Sequence, residues 1–211
     1  MAATASAVIA TDARRPVLIL AGEQVLPASE SLTRLLPGGG LQRGTTTVVT
    51  AGGPGSTALA LELLAGISRA GHWCAVAGLP LLGISAAAER GVVLERLLIV
   101  RELGGAGRWQ QIVATLFDTV EAVVFAPASK VRASDGRRLA ARARERQAVF
   151  VVLDRHRRWE EPVDLRCQVT SSSWSGLGAG HGLLRERLLD VEVSGRGAAA
   201  RPRRARLGLS A

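Results

Sequence analysis

Residues 50–57, TAGGPGST, have the residue types and spacing of a turn that holds phosphate. In the pattern G-x-x-x-x-G-K-[ST], set between a strand and a helix, glycines let backbone N–H groups close on phosphate. The Lys reaches the β- and γ-phosphates and the hydroxyl holds magnesium. Gly52, Gly53 and Gly55 supply bare backbone, with Gly55 at the second glycine position, and Thr57 supplies the hydroxyl. Thr50 stands at the first glycine position, and Ser56 stands where Lys is required. Lys130 is the single Lys of the chain, so no shift of register restores the cation. Phosphoryl transfer depends almost wholly on positioning and charge neutralisation. The expectation is therefore a cradle with no catalytic residue, no bound cofactor and no metal.

The elements around this turn are legible from their periods. Thr45 to Thr50 is β-branched throughout, which predicts a buried strand. From Thr57 to Ala70, Leu59, Leu63 and Ile67 recur at four-residue steps, giving one apolar helix face that Gly71 ends. Strands follow at Trp73–Ala77, Leu97–Val100, Ala122–Phe125 and Ala148–Leu153. Helices lie between them at Ile84–Arg90, Trp109–Thr119 and Asp135–Gln147, the last capped by Ser134 or Asp135. Strands alternating with helices predict a parallel sheet with right-handed crossovers.

After Asp154 the pattern changes. Val163–Ser171, Leu184–Val193 and Arg203–Leu209 alternate apolar and polar residues, as strands with one wet face do, and extend the sheet in antiparallel fashion. Residues 176–182 are read as a glycine-rich connection between two of them. The fold class is α/β, a mostly parallel twisted sheet flanked by helices and extended by C-terminal antiparallel strands. Residues 1–34 are read as an N-terminal arm and residues 35–211 as one domain.

Composition narrows the function. The chain has 211 residues, 47% hydrophobic and 3% aromatic, so its core is built from Ala, Val and Leu. No apolar run approaches the roughly 18 residues of a membrane span. Cys74 and Cys167 sit in apolar contexts without a C-x-x-C, and read as buried reduced thiols. Together with the lack of a secretory pattern, this places the protein in the cytoplasm. Net charge is +9 and unevenly spread: residues 1–131 carry ten basic and nine acidic side chains, and residues 132–211 carry seventeen and nine. That asymmetry predicts a basic face toward an acidic partner or nucleic acid. Arg155, Arg157, Arg158 and Trp159 combine charge with a ring that can stack a base; the alternative is a solvated loop with the ring folded inward. Arg201, Arg203, Arg204 and Arg206 form a second cluster, read either as protection of a strand edge or as a contact patch.

The order of these pieces resembles the RecA core over residues 35–209. The segments that carry the likeness are PGGGLQRG (37–44), the strand–turn–helix (45–70), GHWCAVAGLP (71–80), RGVVLERLLIV (90–100), VEAVVFAPAS (120–129) and RRLAARARERQAVFVVLD (137–154). Departures fall on chemistry. The acid that orients the attacking water in RecA-like ATPases is replaced in the region Gly78-Leu79-Pro80. The metal-binding Asp is replaced around Phe125-Ala126. The polar sensor falls near Asp154-Arg155.

Among RecA relatives the chain is similar to the actinobacterial ImuA-prime group, through PGGGLQRGTTTVV, LALELLAG, AGHWCAV, LAARARER and VEVSGRGAAARPRRARL. That resemblance implies a non-catalytic accessory protein of an SOS-induced mutasome in translesion synthesis. Its partner would be ImuB, a Y-family polymerase homologue, and through it an error-prone C-family polymerase. Two other readings stand beside it: a RecA paralogue that binds single-stranded DNA and modulates recombination through a contact with RecA, and a SulA-like inhibitor of cell division.

Overall fold

In a computed structural model, the described residues are 24–51, 54–105, 107–177 and 181–210. Ten strands run in chain order: β1 (Val25–Pro27), β2 (Gly40–Gln42), β3 (Thr46–Ala51), β4 (Cys74–Ala77), β5 (Leu97–Val100), β6 (Ala122–Phe125), β7 (Val149–Leu153), β8 (Leu165–Leu177), β9 (Gly182–Gly195) and β10 (Arg203–Ser210). The α-helices are α1 (Glu30–Thr33), α2 (Ser56–Arg69), α3 (Ile84–Glu89), α4 (Arg108–Thr119) and α5 (Ala133–Glu145).

The main sheet has the order β10-β9-β8-β3-β7-β6-β4-β5. The pairs among β3 to β7, and that of β3 with β8, are parallel, and β8–β9 and β9–β10 are antiparallel. This is the α/β architecture expected from the alternation. Strand alternation sorts side chains onto two faces. Val49, Val76, Val124 and Val151 face α2 through Leu59, Leu63 and Ile67. Val48, Ala75, Val123 and Val152 face α4 and α5 through Val113, Phe117 and Leu139. Every Phe of the chain lies on this second side. Phe117 meets Phe150 edge-on at 5.0 Å, Phe125 and Phe150 lie 6.3 Å apart, and Trp109 and Trp159 flank them.

Three boundaries differ from the sequence expectation. α5 begins at Ala133 with Arg132 as its N-cap and no side-chain cap; Asp135 instead accepts a hydrogen bond from Gln110. β8 and β9 run to Leu177 and from Gly182, so residues expected in the connection belong to a long ribbon. Pairing along that ribbon extends the strands beyond the point where hydropathy fades. The last part of the expected arm packs on the domain: β1 pairs with β2, Leu26 and Leu32 are buried, and Ala28 approaches α2 so closely that a Cβ on Gly66 would meet its carbonyl carbon at 2.2 Å. Residues 1–23 of that arm lie outside the described residues.

Candidate functional site

The turn after β3 sits at the carboxyl edge of the parallel strands, where α/β sheets place their ligands. Gly52 and Gly53 lie outside the described residues. Gly55 is the N-cap of α2 with φ 134°, a conformation that favours glycine. A Cβ there would meet Leu189 at 3.0 Å and Val169 at 3.1 Å, with Ser172 at 3.7 Å. The ribbon β8–β9 therefore presses on the turn. Ser56, at the Lys position, is only 4% exposed, and Thr57 is half-buried.

The regions expected to carry acids, Gly78-Leu79-Pro80 and Phe125-Ala126, hold a glycine, a proline and the buried Leu79, Phe125 and Ala126. Gly78 has φ +76°, and a Cβ on it would lie 2.5 Å from the Ala126 carbonyl oxygen and 2.9 Å from Leu103. The ends of β4 and β6 thus close on each other at Gly78, in the region where the resemblance leads one to expect the water-orienting acid. Phe125, beside Ala126, stacks on Trp109 at 5.2 Å with the rings within 7° of parallel. Glu121 lies at the opposite end of β6, where its carboxylate accepts the Trp73 N–H at 2.8 Å. Burial pushes the thiols of Cys74 and Cys167 up to about 12, so neither is a thiolate near neutrality.

The loop after β7 corrects the expectation of a base-stacking aromatic. Trp159 is 7% exposed and meets Phe150 edge-on at 5.5 Å, so its ring is core and unavailable to a base. Buried Asp154 holds the loop, its carboxylate accepting the N–H groups of Arg158 at 2.8 Å and Trp159 at 3.2 Å. Arg158 donates to the Pro127 carbonyl, while Arg155 and Arg157 remain exposed.

Two of the four arginines of the C-terminal cluster are engaged within the sheet. Arg204 pairs with Glu192, and Arg206 pairs with Asp190 at 2.7 Å, each across the β9–β10 ladder. The Arg206 hydrogen bond, with one from Ser171, holds the Asp190 carboxyl down at about 2. Arg201 and Arg203 are exposed. On α5, Arg142 and Arg146 both reach Asp118. Four of the seventeen arginines of residues 132–211 are thus met by these neighbouring carboxylates.

Two features escaped the sequence reading. Arg187 on β9 donates Nε–H to Ser172 at 3.0 Å and lies 5.3 Å from the centre of the Trp174 ring. Burial, with Arg90 nearby, lowers its pKa from the ordinary value. The alternation of β9 carried a signal for it, because Arg187 falls on the same face as Leu189 and Val191. The second feature is a cavity of about 540 Å³ at the carboxyl ends of β5 and β6, walled by Trp109, Phe125, Gln110 and Asp135 and rimmed by Lys130 and Arg132. The run Gly104-Gly105-Ala106-Gly107 was its sequence signal.

Residues 34–161 match the MT3502 N-terminal domain family, over half of the chain. The chain belongs to that family. The match spans the cradle, the closed acid positions, the cavity and the 154–159 loop, and ends before the β8–β10 ribbon. A relative in Mycobacterium tuberculosis, the uncharacterized protein Rv3395c, is 29% identical over 143 residues, which cover 66% of this chain and 67% of that protein. Among the described residues no helix is long and apolar enough to cross a membrane.

Proposed function

We propose that this chain is an ImuA-prime-like, RecA-fold adaptor that works in the cytoplasm, in an SOS-induced translesion complex, and does not turn over ATP. Its partner is an ImuB-like Y-family polymerase homologue, which links it to an error-prone C-family polymerase. The observation that carries the non-catalytic part is Gly78. Gly78 lies in the region Gly78-Leu79-Pro80 where the resemblance expects the acid that orients water, and a Cβ on it would meet the Ala126 carbonyl oxygen at 2.5 Å, which supports the loss of that acid at this position. The sequence resemblance supplies the partner.

The adaptor reading needs a surface. β5 ends the sheet, with β4 on one side and no strand partner on the other among the described residues. The β4–α3–β5 unit carries four exposed large apolar side chains: Leu81 (94% exposed), Ile84, Leu94 and Leu98. Exposed apolar residues at an open strand edge are a template for another chain. The single-stranded DNA reading loses its aromatic platform with Trp159 buried.

Co-purification with an ImuB-like protein tests the proposal. The intact chain is expected to form a complex, and Leu98→Glu is expected to weaken it at least tenfold while leaving the melting temperature nearly unchanged. Failure of the two intact proteins to associate removes the adaptor reading, and ATP turnover by the purified chain removes its non-catalytic part.

A further inference from the structure

The β8–β9 ribbon sorts its charge by face. Its acids, Glu186, Asp190 and Glu192, alternate along β9 with Arg187, Leu189, Val191 and Val193. They take the outer face, where Asp190 and Glu192 meet Arg206 and Arg204. The inner face packs Val169 and Leu189 into the core and continues past Leu189 into Arg187, the cross-strand partner of Trp174. Arg185 leans over Gly176 on the same face, where a Cβ on the glycine would meet the Arg185 Cγ at 2.9 Å. Past the core, this face therefore carries a tryptophan and two arginines, and every acid of the ribbon lies on the other.

Trp174 is 40% exposed, whereas Trp159 is core. The Arg187 guanidinium lies 5.3 Å from the centre of the Trp174 ring and is steadied by its Nε–H bond to Ser172. A ring has two faces, and the guanidinium occupies one of them. Arg90, the C-cap of α3, brings a second half-buried guanidinium close to Arg187. Neither arginine forms an ion pair among the described residues. Holding two like charges together and partly out of water disfavours the charge on each, and an anion brought from outside removes that cost.

We propose that the inner face of the ribbon, past its core, binds a single strand of nucleic acid. An unpaired base stacks on Trp174, and the flanking phosphates meet Arg185, Arg187 and Arg90. An exposed ring beside guanidiniums is the pairing that single strands use, base on ring and phosphate on charge. A duplex keeps its bases stacked inside and leaves the ring unused. An acidic peptide satisfies the guanidiniums and leaves the ring without a partner. The 154–159 loop, where the sequence suggested such a contact, gave its ring to the core; the ribbon keeps ring and charge together at the surface. The ribbon lies outside the residues that match the family and on the opposite side of the sheet from β5. The inference therefore does not rest on the adaptor reading.

The test is titration of the full chain with labelled oligo-dT, read by fluorescence anisotropy at several salt concentrations, with a duplex of the same length and polyglutamate as separate arms. The single strand is expected to bind more tightly than either. Contacts to three phosphates predict a slope of log affinity against log salt of about −2, and Arg187→Gln should make it shallower by about 0.7. Trp174→Ala should weaken binding about tenfold or more, the worth of one stacked base, whereas Trp174→Phe, which keeps a ring, should stay close to the parent. The slope in Arg187→Gln gives a reading that does not depend on how well Trp174→Ala folds. Leu98→Glu, at the β5 edge, and the double variant Arg155→Ala with Arg157→Ala should leave the affinity as it was. A dissociation constant above about 100 μM at low salt, weaker than ordinary non-specific binding, overturns the proposal. So does a duplex or polyglutamate binding as tightly as the single strand, an unchanged affinity in Trp174→Ala, or binding lost in the Arg155 and Arg157 double variant.

Discussion

At Gly78 two constraints coincide: a left-handed backbone, and the Ala126 carbonyl where a side chain would start. The first costs a non-glycine residue about 1–3 kcal/mol, and overpacking adds about 1–3 kcal/mol. Gly78→Ala is therefore expected to lower the unfolding free energy by about 2–6 kcal/mol, measured in urea. The double variant Ser56→Lys with Gly78→Glu is expected to show no ATP turnover, because the acid would have to displace backbone. Asp154 is the second residue on which local structure turns. Its carboxylate accepts three backbone N–H groups of the loop that seats Trp159, those of His156, Arg158 and Trp159. Hydrogen bonds to a charged group contribute about 1.5–3 kcal/mol each. Asp154→Ala should cost at least about 3 kcal/mol and shift Trp159 emission to the red as the ring gains water.

Among the elements, the β8–β10 ribbon does the most to set the site. Its inner face supplies Val169, Leu189 and Ser172 against Gly55, and its outer face carries the ladder of Arg204, Glu192, Arg206 and Asp190. Leu189 is fully buried, and Leu189→Ala should cost about 2–5 kcal/mol. The Asp190–Arg206 pair gives a pH signature. A carboxyl whose folded pKa lies below its unfolded value adds stability that is complete above the unfolded value, about 3.9, and that fades as pH falls through the folded one. For Asp190 the window runs from about 4 down to about 2. An NMR titration should place its midpoint near 2, and Arg206→Ala should return it toward 4. Because both partners face solvent, added salt should weaken the pair.

Taken whole, the molecule is one long sheet with different chemistry at each end. At β5 the edge is short and apolar, with Leu98 39% exposed. At β10 it is charged, with Pro202 before it and arginines along it, which discourages pairing with foreign strands. The proposed partner is therefore expected at the β5 edge rather than along the β10 edge. Glu substitutions at Leu81 and Leu98 should abolish partner capture, whereas Arg203→Ala should leave it intact. Of the seventeen arginines in residues 132–211, which carry a net +8, four meet Asp118, Asp190 or Glu192 within hydrogen-bonding distance: Arg142, Arg146, Arg204 and Arg206.

Periodicity alone placed the strands and helices of the α/β core, since alternation and four-residue steps are local consequences of which face is buried. The loss of the Lys was equally secure, because the chain has only one, at Lys130. The direction of Trp159 was not local. An Arg-rich loop with one ring allows both a nucleic-acid contact and a ring folded inward, and the fold decides for the second, with Phe150, on the strand that leads into the loop, taking the ring. Nor could spacing reveal that Arg204 and Arg206 spend their charge on β9, because strand register is set by pairing across the sheet. The closure of Gly78 on Ala126 and the cavity beside Trp109 belong to the same class. Both arise where segments far apart in the chain meet, and only the packed fold decides how closely they approach.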